Sequence, residues 1–390
     1  MNRSLLAKVC CMATLAGLLS VSCSKTLEGN QSPAIPGTPA PGDPHTTTTA
    51  TVSTIAGKLG DHGNAEDGQG ANARFWNPTK MIFDSRNNML YVADGNTIRS
   101  IDAQNNVNTY LPLGKLSTYN EIMDLDLAPG AAGGTLYIVT KENDLIKIEP
   151  ANGQVNVTKL ADRIYGGNAT GALNSADHFD GASGVTVGRN GEIYFFNSFW
   201  NTLRRVILSG AGGTVEPFAG KPLASRSGTA WPFQDGMGET ASFGGSVSDI
   251  SSDANGNIYV ADFRNDLVRM VTPAGAVSSL FQYKEGWGID KDGPVSAAQA
   301  NRVTQVSATR DGGSVFFTTY GEGGNNLPAL RLVRPGKDVA TLVGFSNTYG
   351  DGQSKNAGLG TIGGIATTPD GKTIYISEPG NKVIRRVVLQ

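Results

Sequence analysis

The sequence predicts an all-β fold, a six-bladed β-propeller, from two repeated columns of residues. An aromatic residue stands inside a short apolar segment in each of six repeats, 46 to 65 residues apart, at Tyr91, Tyr137, Tyr194, Tyr259, Phe316 and Tyr375. A basic residue follows each aromatic, at Arg99, Lys147, Arg204, Arg269, Arg331 and Arg385. This period suits one four-stranded blade with its loops and is too long for a helical repeat.

Each repeat contains segments for four strands, which we name a to d from the centre of the ring outward. Strand b carries the aromatic column and strand c carries the basic column. Pairs such as Asn190-Gly191 and Asp311-Gly312 separate strand a from strand b, as expected for hairpin turns that need positive φ at low cost. Strand a begins with an apolar residue in every repeat, at Met81, Leu125, Val185, Ile250, Val306 and Ile365.

Strand d predicts how the ring closes. Five repeats contain a strand d, but the sixth ends at Gln390 without one. Residues 51–57 resemble the strand d segment at 215–220 and precede the first strand a. We therefore expect residues 51–57 to pair beside residues 383–389, because this completes the last blade and removes a free sheet edge.

The N-terminal segment predicts export and a lipid anchor. Residues 9–21 are apolar and uncharged, follow Arg3 and Lys8, and are too few to span a membrane. The segment that ends at Cys23 resembles a bacterial lipoprotein box. We therefore expect residues 1–22 to be a lipoprotein signal peptide and Cys23 to be lipidated. The alternative is a plain secretory signal with Cys23 as a free thiol.

The next segment, residues 23–50, is rich in Pro and Thr and has too little apolar surface to offset the entropy of ordering. We expect it to be a disordered tether between the lipidated cysteine and a folded body at residues 51–390. The predicted location is a bacterial cell envelope, lipid-anchored at the outer membrane, on its periplasmic or its surface side.

Composition excludes several functional classes. All three cysteines lie in the first 23 residues, so the folded body holds neither a disulfide nor a thiolate metal site. Only three histidines are present, which excludes a His-rich metal site. Neither a Gly-x-Ser-x-Gly nor a His-Glu-x-x-His motif occurs. A net charge of −2, a pI near 6.0 and the export signal argue against nucleic acid as a partner.

Two stretches carry a resemblance to a known family. The first has DGQGA at 67–71 and YVAD at 91–94, and the second has DGMG at 235–238 and YVAD at 259–262. These residues resemble the NHL-repeat family of β-propellers. The resemblance implies a binding platform, as in most members, or a lyase or lactonase, as in a few.

The motifs that repeat are interpreted as structural. Asp94, Asp262 and Glu378 at the end of strand b are expected to accept N–H groups of the following turn. Other repeats depart from the family pattern at this position, with Thr140, Asn197 and Thr319. The Asp-Gly pairs that begin at 67, 180, 235, 292 and 351 are interpreted as turn formers, and the basic column is expected to find partners between blades.

Function is expected where the repeat is broken. The d-to-a and b-to-c connections open on the same side of the ring, which we call the loop face. Aromatic residues around a concave mouth bind sugar rings, peptides or proteins. The alternative is that these residues cap the ring and bury one another. The predicted ligand-binding residues of this face are Trp76, Trp200, Trp231, Phe233, Tyr283, Trp287 and His178.

A second break lies at the start of strand a, where the family usually has glycine. Lys80, Asp124, Asp249 and Gln305 stand there, near the mouth of the central channel, and predict a polar floor beneath the aromatic residues of the loop face. The alternative is a water-filled channel whose polar lining has no ligand. If the protein is a non-catalytic binding protein, we predict no cofactor. An enzyme would use a divalent ion such as Ca²⁺, and its weak candidate ligands are Asp124, Asp126, Asp249 and Asn197.

Three functions remain open from the sequence. The favoured one is a non-catalytic, lipid-anchored binding protein whose partner is a glycan, a peptide or an envelope protein. The second is a metal-dependent enzyme of the six-bladed lactonase or lyase kind, with no catalytic residue identified. The third is a protein–protein scaffold within an envelope complex.

Overall fold

The computed structural model describes most of the predicted folded body. The described residues are 48–61, 63–117, 120–130, 133–161, 170–173, 181–210, 212–222, 233–284, 289–320, 327–344, 346 and 349–390. The predicted signal peptide, Cys23 and nearly all of the predicted tether lie outside them. No helix in the described part of the chain is long and apolar enough to cross a membrane.

Six antiparallel sheets form a ring, and the prediction of a six-bladed propeller is confirmed. The first strand, β1 (Ala50–Ala56), belongs to the last blade. Blade 1 contains β2 (Gly68–Gln69), β3 (Pro78–Asp84), β4 (Met89–Asp94), β5 (Thr97–Ile101) and β6 (Asn106–Leu111). Blade 2 contains β7 (Ile122–Leu127), β8 (Leu136–Thr140), β9 (Leu145–Ala151) and β10 (Gln154–Ala161).

The next two blades follow the same plan. Blade 3 contains β11 (Gly171–Ala172), β12 (Ala182–Val187), β13 (Ile193–Asn197), β14 (Thr202–Ser209) and β15 (Gly212–Ala219). Blade 4 contains β16 (Gly236–Met237), β17 (Ile250–Ser252), β18 (Ile258–Asp262), β19 (Leu267–Val271) and β20 (Ala276–Ser279).

The last two blades complete the ring. Blade 5 contains β21 (Gly293–Pro294), β22 (Val303–Ala308), β23 (Val315–Tyr320), β24 (Pro328–Arg334) and β25 (Asp338–Gly344). Blade 6 contains β26 (Gly352–Gln353), β27 (Gly364–Thr367), β28 (Thr373–Glu378) and β29 (Val383–Leu389), together with β1. Short 3-10 turns lie at Gly70–Asn72, Gly238–Thr240, Phe263–Asn265 and Ser354–Asn356.

Closure of the ring occurs as the sequence predicts. Strand β1 pairs antiparallel with β29, with Val52 opposite Val387 and Ala50 opposite Leu389. The carboxylate of Asp351 also accepts the backbone N–H (3.0 Å) and the hydroxyl (3.0 Å) of Thr54. The N-terminal strand therefore covers the backbone of β29, which would otherwise be a free edge.

The apolar core is divided among the blade interfaces. Six clusters of buried apolar side chains occur in the described structure, each between two neighbouring blades. In one of them Tyr91 and Ile98 of blade 1 pack with Leu125 and Ile138 of blade 2. This arrangement explains how so long a body folds without an internal linker.

Four arginines of the basic column have a structural role, and their carboxylate partners lie in the same blade and not between blades as predicted. Arg269 is fully buried and contacts Asp262 (3.0 Å) at the end of strand b and Asp235 (2.7 Å) of an Asp-Gly pair. Arg99, Arg331 and Arg385 make corresponding pairs of contacts. Removing one partner of such a buried ion pair is strongly destabilising, because the other charge then stays buried without a counter-charge.

The acidic motifs also differ in detail from their predicted roles. Gly68 and the glycines of three further Asp-Gly pairs begin short fifth strands beside strand d, and their aspartates bind the buried arginines. Asp94 accepts the N–H of Asn77 (2.5 Å), which precedes strand a and does not belong to the following turn. In blade 5, Thr319 stands where other blades have the carboxylate at the end of strand b. Asp290 binds the buried Arg331 in its place.

Candidate functional site

The loop face carries most of the exposed apolar side chains. Among the described residues, eight large apolar side chains are exposed. Two of them, Ile207 and Met237, lie elsewhere on the blades. The other six lie in loops between blades or at the start of an innermost strand, and they are Leu59, Trp76, Leu113, Met123, Ile289 and Tyr349. The loop face therefore exposes more large apolar side chains than the rest of the described surface.

Trp76 has the geometry of an exposed anchor. Trp76 is 59% exposed and is the more exposed of the two aromatic residues among those eight. Its carbonyl oxygen accepts a hydrogen bond from the Lys382 ammonium, which also lies 5.7 Å from the centre of the indole ring. The neighbouring Asn77 N–H is bound by Asp94. The backbone that carries the indole is therefore fixed while the ring stays open to solvent.

Two other aromatic residues of the predicted ligand-binding set pack against each other. The rings of Phe233 and Tyr283 stack with centroids 4.1 Å apart and an interplanar angle of 11°. The guanidinium of the buried Arg269 lies 4.9 Å from the Phe233 ring. Both side chains are partly buried, so this pair covers the arginine cluster beneath it, as the capping alternative predicts.

Trp200 is less exposed than Trp76 but does not stack as closely as Phe233 and Tyr283 do. It is half-buried, and its ring centroid lies 5.5 Å from that of Phe199. Its backbone N–H donates to Asn197 Oδ1 (3.1 Å). The remaining predicted loop-face residues, Trp231, Trp287 and His178, lie outside the described residues.

The polar residues at the start of strand a form one layer across the central channel. The Lys80 ammonium of blade 1 reaches Asp249 Oδ1 (2.5 Å) of blade 4 and Gln305 Oε1 (2.8 Å) of blade 5. It also donates to the Ser248 carbonyl oxygen (2.8 Å). Blade 4 stands opposite blade 1 in a ring of six, so Lys80 spans the channel. We call these residues with Asp124 the channel layer.

Asp124 and Asp249 each bind the next blade. Asp124 Oδ2 accepts the N–H of Val185 (2.8 Å), and Asp249 Oδ2 accepts the N–H of Val306 (2.8 Å). Burial raises the pKa of both carboxyls above the ordinary value, and the Lys80 charge opposes this rise. The layer thus combines the Lys80–Asp249 ion pair with a second carboxyl, Asp124, whose pKa is raised by burial.

Asp126 lies one step further along the same strand. Its Oδ2 accepts the hydroxyl of Thr186 (2.7 Å) and the N–H of Val187 (2.8 Å), both in blade 3. Burial raises the pKa of Asp126 to about 6. This carboxyl therefore titrates close to neutral pH and links two blades in either state.

The four weak candidates for metal ligands are not arranged as a set. Asn197 is buried at the end of strand b, where its Oδ1 accepts the N–H groups of Phe199 and Trp200. Asp124, Asp126 and Asp249 bind backbone N–H groups of neighbouring blades. No group of three or more side chains suited to a metal ion occurs in the described part of the protein.

A cavity of about 410 Å³ fills the channel on the other side of this layer. Its walls run from Lys80 and Asp249 along the six innermost strands to the a-to-b turns. We call the side of the ring that carries these turns the turn face. The cavity walls include no residue of the loops between blades, so the cavity opens at the turn face. The sequence predicts a polar floor near the mouth of the channel; the channel layer crosses the channel, and the cavity lies on the turn-face side of it.

The mouth of this cavity contains arginines that sequence reasoning missed. Arg189 and Arg310 follow the innermost strands of blades 3 and 5 and line the cavity. In the sequence they stand beside ordinary turn pairs, Asn190-Gly191 and Asp311-Gly312. The signal that could have found them is their equal spacing after the apolar residue that begins strand a, four positions after Val185 and after Val306.

Sequence comparisons give a distant relative. No family model matches the chain. Over 281 residues, which is 66% of the chain, it is 25% identical to Protein SUPPRESSOR OF QUENCHING 1, chloroplastic, from Arabidopsis thaliana. The match covers 25% of that protein, so the chain spans about a quarter of the length of this curated relative.

Structure comparisons agree on the fold. An auxiliary nutrient binding protein from Bacteroides thetaiotaomicron VPI-5482 superposes with a TM-score of 0.63 at 15% identity, covering 88% of this chain and 77% of that one. A catalytically inactive virginiamycin B lyase from Staphylococcus aureus, solved with quinupristin, gives a TM-score of 0.50 at 14% identity, covering 87% and 100%. At these identities the similarity shows the propeller fold alone.

Proposed function

We propose that this protein is a non-catalytic binding protein of the cell envelope, held by a lipid on Cys23, whose loop face binds a glycan, a peptide or an envelope protein. The observation that carries the proposal is the concentration of exposed apolar side chains on that face. Soluble proteins rarely expose such groups together unless a partner covers them.

Trp76 is the proposed anchor of this surface. An indole is a large, rigid contact surface that loses little conformational entropy on binding. Lys382 beside the ring adds a donor and a positive charge that a polar ligand can use. Because Asp94 and Lys382 already bind the backbone around Trp76, little ordering remains to oppose binding.

Two further considerations support the proposal. One of the Bacteroides structures with this fold is that of an auxiliary nutrient binding protein. The NHL-repeat resemblance, which we retain as part of the proposal, also favours a binding platform. The alternative of a metal-dependent lactonase or lyase has less support, because Asp124, Asp126 and Asp249 bind backbone N–H groups across blade interfaces.

A glycan and peptide array tests the proposal. The full chain and its Trp76→Ala variant are applied to the same array, with Ile207→Ala as the matched control because Ile207 is exposed but lies away from the loop face. We expect at least one ligand to be retained and Trp76→Ala to weaken its binding by roughly tenfold or more. Equal weakening by Ile207→Ala, or retention unaffected by Trp76→Ala, contradicts the proposal.

The lipid anchor needs a separate test. Metabolic labelling with a fatty acid, followed by membrane fractionation, is applied to the wild-type chain and to Cys23→Ala. We expect the wild type to be labelled and membrane-bound and the variant to be unlabelled and released. Release of an unlabelled wild-type chain supports the plain secretory signal.

A further inference from the structure

The cavity on the turn face is lined at its mouth by one equivalent residue from each blade. Each stands four positions after the apolar residue that begins strand a. Two of the six carry a charge, and both charges are positive. The residues are Ser85, Pro129, Arg189, Ala254, Arg310 and Pro369.

The two arginines are available for a ligand. Arg189 and Arg310 are exposed, and neither side chain has a hydrogen-bond or ion-pair partner among the described residues. Arg86, the third arginine of the cavity, differs from them. It binds Asp84 through Nε (2.7 Å) and the Ala128 carbonyl oxygen through a terminal nitrogen (3.1 Å). The cavity lining thus holds one structural arginine and two without a partner among the described residues.

The acidic groups nearby are already bound. Asp84 accepts from Arg86, and Asp253 accepts from the N–H of Asn257 (2.9 Å) and the hydroxyl of Tyr259 (3.0 Å). Asp311 beside Arg310 accepts from the hydroxyl of Thr309 (2.7 Å) and the N–H of Gly313 (2.9 Å).

The acids deeper in the cavity are bound as well. Asp249 pairs with Lys80, and Asp124 and Asp126 accept backbone N–H groups of blade 3. Of the charged side chains in this lining, Arg189 and Arg310 are therefore the ones without a hydrogen-bond or ion-pair partner among the described residues, and they are the groups left to bind an entering anion.

We propose that this cavity binds a small organic anion, with its charged group against Arg189 and Arg310 and its body inside the channel. A guanidinium presents donors in a fixed fork that matches carboxylate and phosphate oxygens. A volume of about 410 Å³ lies within the range of small-molecule pockets. The site is separate from the loop face, because the channel layer stands between them.

Three sugars with similar bodies and different charges test this site. Glucuronate, glucose 6-phosphate and glucose are titrated calorimetrically into the full chain at low ionic strength. We expect at least one of the two charged sugars to bind at millimolar concentration and glucose not to bind. Preference for one of them distinguishes a carboxylate site from a phosphate site. Added salt should weaken the binding, since the mouth is open to solvent.

Charge-removing variants locate the binding. Arg189→Gln and Arg310→Gln should each weaken it by roughly tenfold, and the double variant should abolish it. Lys337→Gln is the matched control, because Lys337 is exposed in the c-to-d turn of blade 5, on the same face but outside the cavity. Trp76→Ala should leave this binding unchanged. Failure of both charged sugars to bind, or equal binding by the Arg189→Gln/Arg310→Gln variant, overturns the proposal.

Discussion

Lys80 Nζ lies 2.5 Å from Asp249 Oδ1, and this contact joins the first blade to the fourth across the centre of the ring. Both side chains are about nine-tenths buried, so water screens the pair little. The same contact crosses the channel and lies at the inner end of the turn-face cavity. One ion pair therefore both links the blades and separates the two proposed binding surfaces.

Removing Lys80 is expected to destabilise the ring by about 3–5 kcal/mol at neutral pH, because Asp249 then stays buried without a counter-charge. The loss in Lys80→Met should shrink as pH falls and Asp249 becomes protonated. The double variant Lys80→Met/Asp249→Asn should recover much of the stability. Chemical denaturation at pH 5 and pH 7 measures both effects, and equal stability of the single and double variants argues against this role.

The two acids that contact Arg269 should differ in importance. Asp262 is fully buried, whereas the Asp235 side chain is 27% exposed and water can replace it. We expect Asp262→Ala to lower the free energy of unfolding by about 3–5 kcal/mol and Asp235→Ala by about 1 kcal/mol. Urea denaturation of the two variants measures the ratio. A similar cost for both would mean that burial does not set the strength of these pairs.

Strand β1 should be needed for a stable monomer. Deletion of residues 1–56 exposes the backbone of β29, and a free, flat edge pairs readily with other chains. We expect this deletion to aggregate and to lose cooperative unfolding, while deletion of residues 1–47 leaves a monomer with wild-type stability. Size-exclusion chromatography and thermal unfolding of the two truncations separate these outcomes.

Asp126 should make stability depend on pH. Its folded-state pKa of about 6 exceeds the ordinary value of 3.8, so the folded protein binds this proton more tightly than the unfolded chain does. The resulting stabilisation is complete below about pH 3.8 and is lost as pH rises to about 6. Asp290 has a pKa raised by burial to about 6 and contributes in the same window.

A variant isolates the Asp126 contribution. Relative to wild type, Asp126→Asn should gain about 2 kcal/mol of stability between pH 4 and pH 7, because asparagine does not ionise. Asp102→Asn is a control that should change little in this range, since hydrogen bonding from Asn106 holds the pKa of Asp102 below its usual range and its contribution to stability is lost only below about pH 3.8. A constant difference between wild type and Asp126→Asn across this range contradicts the assignment.

The fold was predictable because each blade repeats the same local signals. Strand a, the turn pair and the strand b aromatic recur in the same order, with the aromatic 9 to 12 positions after the apolar residue that begins strand a. The missing last strand d identifies β1 as the closing strand. The short fifth strands were not predicted. They contain two residues each, so they leave no periodic pattern, and the Asp67-Gly68 type of pair is equally suited to a turn.

The site was only partly predictable, because side-chain partners cross between elements that are distant in sequence. Lys80, Asp124, Asp249 and Gln305 do form one layer, as their equivalent positions suggested. The sequence does not show that the Lys80 side chain reaches across the channel to Asp249. Nor does it show which arginines remain unpaired, since Arg86 differs from Arg189 only in its neighbours.

The most direct test of the central claim is hydrogen exchange of the full chain with and without a ligand retained on the array. If the loop face binds the ligand, protection should appear around Leu59, Trp76 and Leu113, while the a-to-b turns exchange as before. Protection confined to those turns, or to the outer strands around Ile207, would contradict a binding function for the loop face.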